Sequence, residues 1–363
     1  MSETNENILM PVSIHLLYDG MIVTDDIYDS SRERLLIKSG NTLSQLQIDR
    51  IKSLNESMET IYVTGRTHKS MISKRPNIEI KSISEIEEST GYTEVKDETF
   101  KLLEELAQNR TVSMDSMQVI SDKLSTSLKS TPTAIIISLI NAMAPVDEYL
   151  QRHSVNVGFL NGLIGRWMGY SGVEIDQLVL IGLMHDCGKT LLPPKVLNAA
   201  RKLTVIEYEV VKKHAEYTYE LLFEFPEPIR LASSGHHERL NGSGYPNNLL
   251  SDSVSLEARI TAISDTYDAM VSRRAYQGPQ SPFRVMARLD YLSRHGLDSD
   301  VIRIFKENMP KELIDKPIQM SDGTIGIVRE YDPDDIEFPK IEISERIVKS
   351  NHDLYCVSMY HDE

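Results

Sequence analysis

A mainly α-helical protein, a bundle of helices flanked by a small α+β module and a short β-rich tail, is what this 363-residue sequence predicts. Three observations carry the expectation. Residues 96–310 place apolar side chains at helical spacing nearly throughout. Residues 1–64 mix short alternating runs with one helical stretch, and residues 311–363 return to alternation around turn residues. The length accommodates two or three domains.

Taken in order, Met21–Thr24, Leu35–Lys38 and Thr60–Val63 read as strands, near the turn pairs Asp19-Gly20 and Ser39-Gly40. Between them Leu43–Leu54 carries Leu46, Ile48, Ile51 and Leu54 at helical spacing. Residues 65–95, rich in Ser, Lys and Glu, read as a linker. Within 96–310, Thr204–Phe225 has an N-cap threonine, Glu207 three residues on and a stop at Pro226. Arg259–Val271 repeats the helical pattern through Ile260, Ile263, Tyr267 and Met270. In 311–363, Ile318–Met320 and Thr324–Val328 flank Asp322-Gly323 as a hairpin, and further strands are expected near Lys340–Ile343 and Leu354–Met359.

Composition narrows the function. A net charge of −15 argues against a nucleic-acid polymer or an anionic membrane as partner. An anionic substrate would need local positive charge, and bound metal ions supply it. The apolar run Thr133–Met143 is too short to span a membrane, and the N-terminus lacks the features of a secretory signal. Two cysteines outside any CxxC pair fit a reducing cytoplasm and exclude a disulfide scaffold.

The chemistry concentrates between His153 and Asp265. His153, His185, His214, His236 and His237 fall there with Asp186 and Asp265. Imidazole and carboxylate donors without thiolates suit Fe, Mn or Zn in a reactive rather than a structural site. Seven donors are too many for one ion and fit two, with one carboxylate shared. His185 and Asp186 follow the apolar run Leu178–Met184, so both polar groups close a buried element and need partners. Lys189 lies four residues beyond His185, close to the site whether or not the helix continues through Gly188.

These motifs, in this order, resemble the HD-GYP family of the HD phosphohydrolase superfamily. The resemblance rests on His153-Ser-Val-Asn-Val, Leu183-Met-His-Asp-Cys-Gly-Lys, Leu203–Glu207 followed by Lys213-His214, His236-His-Glu-Arg-Leu-Asn-Gly-Ser-Gly-Tyr-Pro246, and Ala258-Arg-Ile followed by Ser264–Met270. It covers roughly residues 145–290. Departures include Asn241 before Gly-Ser-Gly-Tyr-Pro, Ala199-Ala-Arg201, and Gln277 after Arg274-Ala-Tyr. Tyr149 stands where members with a third metal carry a glutamate, which favours two ions.

The resemblance implies an all-helical HD-type bundle and a cytoplasmic phosphodiesterase of bacterial second-messenger signalling. It implies hydrolysis of cyclic di-GMP to linear pGpG and/or GMP, with two divalent ions, Fe or Mn. His153, His185, Asp186 and Asp265 would surround one ion, and Asp186, His214, His236 and His237 the other. Lys189 would stabilise phosphoryl charge beside the shared Asp186. Gly244, Tyr245, Pro246, Arg273 and Arg274 would meet the nucleotide, and Asp268 would orient a ligand. Alternatives are a non-catalytic cyclic-dinucleotide receptor, or an HD hydrolase acting on another nucleotide such as cyclic GMP-AMP. The N-terminal module would serve regulation or assembly into a homodimer.

Overall fold

Most of the longer helices among the described residues hide an apolar stripe, and the order in which the stripes meet determines where the polar residues converge. The computed structural model describes residues 8–13, 22–24, 26–28, 35–54, 60–65, 82–110, 113–141, 149–197, 199, 201, 203–272 and 280–360. At the N-terminus come β1 (Ile8–Ser13), β2 (Ile22–Val23), β3 (Ile27–Tyr28), β4 (Leu35–Ile37), α1 (Gln45–Leu54) and β5 (Thr60–Gly65). β5 lies between β1 and β2, pairing antiparallel with both, while β3 and β4 form a separate ladder. The buried face of α1 runs through Ile48 and Ile51 beside Leu43. Leu46, expected to share that face, is instead 81% exposed.

The helical region comprises α2 (Ile83–Thr90), α3 (Tyr92–Asn109), α4 (Met114–Ser130), α5 (Thr133–Ile140), α6 (Tyr149–Trp167), α7 (Gly172–Met184), α8 (Pro194–Leu197), α9 (Val205–Leu221), α10 (Glu227–Ser234), α11 (Leu256–Val271), α12 (Pro282–Ser293) and α13 (Ser299–Glu312). α6 is the central helix, with every residue from Arg152 to Gly165 buried. It packs against α3, α4, α7, α11 and α13. The mainly α expectation therefore holds, and α9 starts from the expected capping box: Thr204 Oγ1 accepts from Glu207 N at 3.2 Å, and Thr204 N donates to Glu207 Oε2 at 2.9 Å.

The expected linker over 65–95 needs correction, because from Ile83 onward it is helical apart from Gly91. Ser82 caps α2 through a reciprocal capping box with Glu85, and Gly91, at φ +70°, ends α2 and opens α3. Composition concealed the helix, since its Glu87 is buried by pairing with Arg152 rather than solvated. The remainder of that stretch, 66–81, lies outside the described residues.

The C-terminal sheet holds β6 (Pro317–Met320), β7 (Ile325–Glu330), β8 (Lys340–Ile343), β9 (Arg346–Lys349) and β10 (Cys356–Met359), in the order β10-β6-β7-β8-β9. The expected hairpin is present: Thr324 N donates to Asp322 Oδ1 at 2.9 Å, and Gly323 takes φ +83°. β9 was not foreseen; its residues are mostly exposed, so its sequence carries no apolar run. Ile318, Met320, Val328, Ile341 and Met359 join the same apolar core as Leu163, Tyr267 and Phe305 of the bundle. A boundary at 310 consequently falls inside α13 and not in a connector.

Candidate metal centre

Four structural elements bring the histidines together. α6 carries His153, and α9 carries His214. His185 and Asp186 stand where α7 gives way to a 3-10 turn over Cys187–Leu191, and His236 and His237 follow the C-terminus of α10. α11 supplies Asp265 and Asp268. His153, His185, His214 and His236 are each at most 2% exposed. Lys189 is therefore not on a continued α7 but on the 3-10 turn, where its ammonium donates to Asp186 Oδ2.

The turn sits against α9 because Gly188 has no side chain. A Cβ there would lie 2.1 Å from the His214 carbonyl oxygen. Thr218 fastens the contact: its hydroxyl accepts from Gly188 N at 3.0 Å and donates to the His185 carbonyl at 3.1 Å.

Donor atoms fall into two groups. His153, His185 and Asp265 form one; Asp186, His214, His236 and His237 form the other, with the donor atoms of each group within 4.8 Å of one another. Asp186 faces both. Its Oδ2 lies 3.5 Å from His153 Nε2 and 3.3 Å from His185 Nε2, while Oδ1 lies 3.4 Å from His214 Nε2 and 3.7 Å from His236 Nε2. Asp265 Oδ1 lies 3.2 Å from His153 Nε2.

The opposite edge of each ring is committed elsewhere. Nδ1 of His185, His214 and His236 donates to the carbonyls of Gly182, Val211 and Ser233 at 2.7, 2.6 and 2.7 Å. His153 Nδ1 donates to Asp268 Oδ2 at 2.7 Å. A proton fixed on Nδ1 leaves the Nε2 lone pair for a metal. Buried polar atoms are ordinarily satisfied, yet Nε2 of His185, His214 and His236 and Oδ1 of Asp186 have no hydrogen-bond partner. Four converging, orphaned donors of these types fit divalent ions.

Electrostatics divide the centre. Burial drives His214 down to about 4 and holds His236 and His237 well below the usual imidazole range, so all three are neutral donors. Burial also opposes charge on His153, but Asp186, Asp265 and Asp268 outweigh it and hold that ring up at about 10. Asp186 stays ionised against burial through Lys189 and His185, and Asp265 does so through His153. Cys187, pushed up to about 12 by burial, is a packed thiol.

The Gly-Ser-Gly-Tyr-Pro stretch forms one wall. The Tyr245 ring stacks on His237 at 4.6 Å between centroids, and the Tyr245–Pro246 bond is cis. Gly244 is buried so tightly that a Cβ would lie 2.3 Å from Arg239 N. Glu238, an unassigned member of the motif, anchors the loop by accepting from Asn247 N at 2.6 Å and Leu249 N at 2.9 Å. Asn156 was also missed: its amide donates to Asp268 Oδ1 at 2.7 Å, and its position three residues after His153 on one helix face was the available signal. Arg273 and Arg274 lie outside the described residues.

Comparison with known proteins shows what this chain is similar to. A family model described as an HD domain matches residues 138–301. A cyclic di-GMP phosphodiesterase of Thermotoga maritima is 31% identical over 185 residues, 50% of this chain and 50% of that protein. Residues 138–301 are thus similar to HD domains, the similarity that the ordered histidine and aspartate motifs suggest. The chain is also similar to a cyclic di-GMP phosphodiesterase of Pseudomonas aeruginosa, 29% identical over 61% of this chain and 54% of that protein. A 3'3'-cGAMP-specific phosphodiesterase of Vibrio cholerae is 28% identical over 52% of this chain and 36% of that protein. The chain spans about half the length of the first two relatives. An HDG"Y"P protein from Bdellovibrio bacteriovorus, solved as a structure, matches the fold with a TM-score of 0.51 at 12% identity. That match covers 84% of this chain and all of the other. No helix among the described residues is long and apolar enough to cross a membrane.

Proposed function

We propose that this chain hydrolyses a phosphodiester bond of a cyclic dinucleotide in a metal-dependent reaction, with cyclic di-GMP as substrate and linear pGpG and/or GMP as product. The observation that carries the reading is the buried Asp186 carboxylate, one oxygen facing each donor group. His153, His185, Asp186 and Asp265 would hold one ion, and Asp186, His214, His236 and His237 the other, with iron or manganese suited to such donors. When bound, such ions polarise phosphoryl oxygens and lower the pKa of water.

The chain's own residues supply the rest. Lys189, whose side chain is 24% exposed beside Asp186, can turn its ammonium toward a phosphate oxygen as a compact point charge. Tyr245, held against His237, offers a face on which a base can stack, and the buried Gly244 fixes that wall. Arg273 and Arg274 complete the proposal as bidentate phosphate contacts. Two free, buried cysteines suit a cytoplasmic setting.

The test is to purify the protein anaerobically, quantify its metals, and incubate it with cyclic di-GMP, 3'3'-cGAMP and cyclic di-AMP. Turnover of cyclic di-GMP by protein carrying two ions is the expected result. Preference for 3'3'-cGAMP, as in the name of the Vibrio cholerae relative, would reassign the substrate. Tight binding without turnover at full metal load would instead make the chain a receptor.

A further inference from the structure

A line of buried side chains runs from the N-terminal helices into the metal centre. Tyr92, the first residue of α3, is fully buried, and its hydroxyl donates to Asn156 Oδ1 at 2.6 Å. The Asn156 amide donates to Asp268 Oδ1 at 2.7 Å, and Asp268 Oδ2 accepts from His153 Nδ1 at 2.7 Å. Asn156 and Asp268 are 2% and 0% exposed, so water does not substitute for a lost partner. Upstream, the Arg152 guanidinium lies 4.9 Å above the Tyr92 ring and is neutralised by Glu87 of α2. Arg152 immediately precedes His153 on α6.

We infer that Tyr92 is a positioning residue for His153, acting through Asn156 and Asp268, so that helices α2 and α3 form part of the metal site's support. This rests on the metal-binding reading of the centre. Each link has one orientation. The tyrosine hydroxyl occupies the amide oxygen of Asn156, which turns the amide NH2 toward Asp268. The carboxylate so held accepts the Nδ1 proton and keeps His153 Nε2 turned to the side where Asp265 and Asp186 converge. Neither Glu87 nor Tyr92 lies within residues 138–301, so the HD match does not contain this support. Displacement of α2 and α3 relative to α6 is thereby felt at His153, so the position of these two helices is coupled to metal affinity.

Metal-stripped full-length protein titrated with Mn2+ alone, by equilibrium dialysis and electron paramagnetic resonance, tests this. Tyr92→Phe removes only the hydroxyl and should weaken one of two Mn2+ sites about tenfold, the lower end of what loss of a ligand's supporting hydrogen bond costs. Tyr267→Phe is the control. It deletes an equally buried hydroxyl, bonded to Asn141 at 2.8 Å, from the helix that bears Asp265. It should leave both sites within about twofold of the parent, since no metal ligand depends on it. Glu87→Gln probes the same line from its outer end and should weaken the same site by less, which keeps the inference testable if Tyr92→Phe fails to fold. Unchanged affinity in both Tyr92→Phe and Glu87→Gln overturns the inference, as does equal weakening in Tyr267→Phe. Absence of Mn2+ binding by the parent protein would overturn the metal reading itself, a separately visible failure.

Discussion

Asp186 carries the sharpest expectation at the scale of single residues. Because its two oxygens face different donor groups, Asp186→Ala should lower the content of both ions together and abolish turnover, as read by metal analysis and product assay. Loss of one ion with the other at full occupancy would show that the carboxylate is not shared. Lys189 separates from it by chemistry, since an ammonium is a point charge and not a ligand. Lys189→Ala and Lys189→Met should both keep near-normal metal content while losing on the order of a hundredfold to a thousandfold in rate. Metal loss from a folded variant would make Lys189 a support for Asp186, the carboxylate it bonds. His185 and Asp186 were legible in the sequence because they close the apolar run Leu178–Met184, where an unpartnered polar group is costly, whereas His153 and His214 stood out only through the order of the motifs in the family they resemble. Tyr92 was not legible: sixty-four residues separate it from Asn156, and a buried tyrosine at a helix start resembles any other core aromatic until its hydroxyl is located.

Among the elements, the turn after α7 that packs on α9 leaves no room for a side chain at Gly188. Gly188→Ala would drive a methyl into the backbone of the helix that carries His214. It should destabilise the fold by about 1–3 kcal/mol and reduce metal content, measured by thermal unfolding and elemental analysis. Gly172→Ala, where an added Cβ meets nothing within 4 Å, should do neither. A stable, fully loaded Gly188→Ala protein would mean that the turn and α9 are not held in contact. At this scale the sequence was read well where local chemistry decides, as in the capping box at Thr204 and the Asp322-Gly323 turn. It was misread at α2, where Ser, Lys and Glu suggested a solvated connector. The deciding interaction there, Glu87 with Arg152, spans 65 residues and leaves no local periodic trace.

For the molecule as a whole, the apolar core is continuous from Tyr92 on α3 through the bundle to Met359 on the last strand. Composition suggested separate segments because alternation replaces helical spacing near residue 311, but a change of period marks a change of element and not an interruption of packing. The continuity predicts that bundle and sheet melt together as a single cooperative unit. The chain's one tryptophan reports this. Trp167, at the end of α6, meets the edge of Phe305 at 6.0 Å between ring centroids, well within the helices. Truncating Ile341, fully buried in β8, to alanine should cost about 2–5 kcal/mol and lower the melting temperature seen by Trp167 fluorescence as much as that seen by far-ultraviolet circular dichroism. Two separated transitions would divide the unit. A single one means that damage anywhere in the C-terminal strands reaches the histidines as a change in the fraction of molecules folded, and a loss of catalytic capacity in such a variant would then reflect abundance and not chemistry.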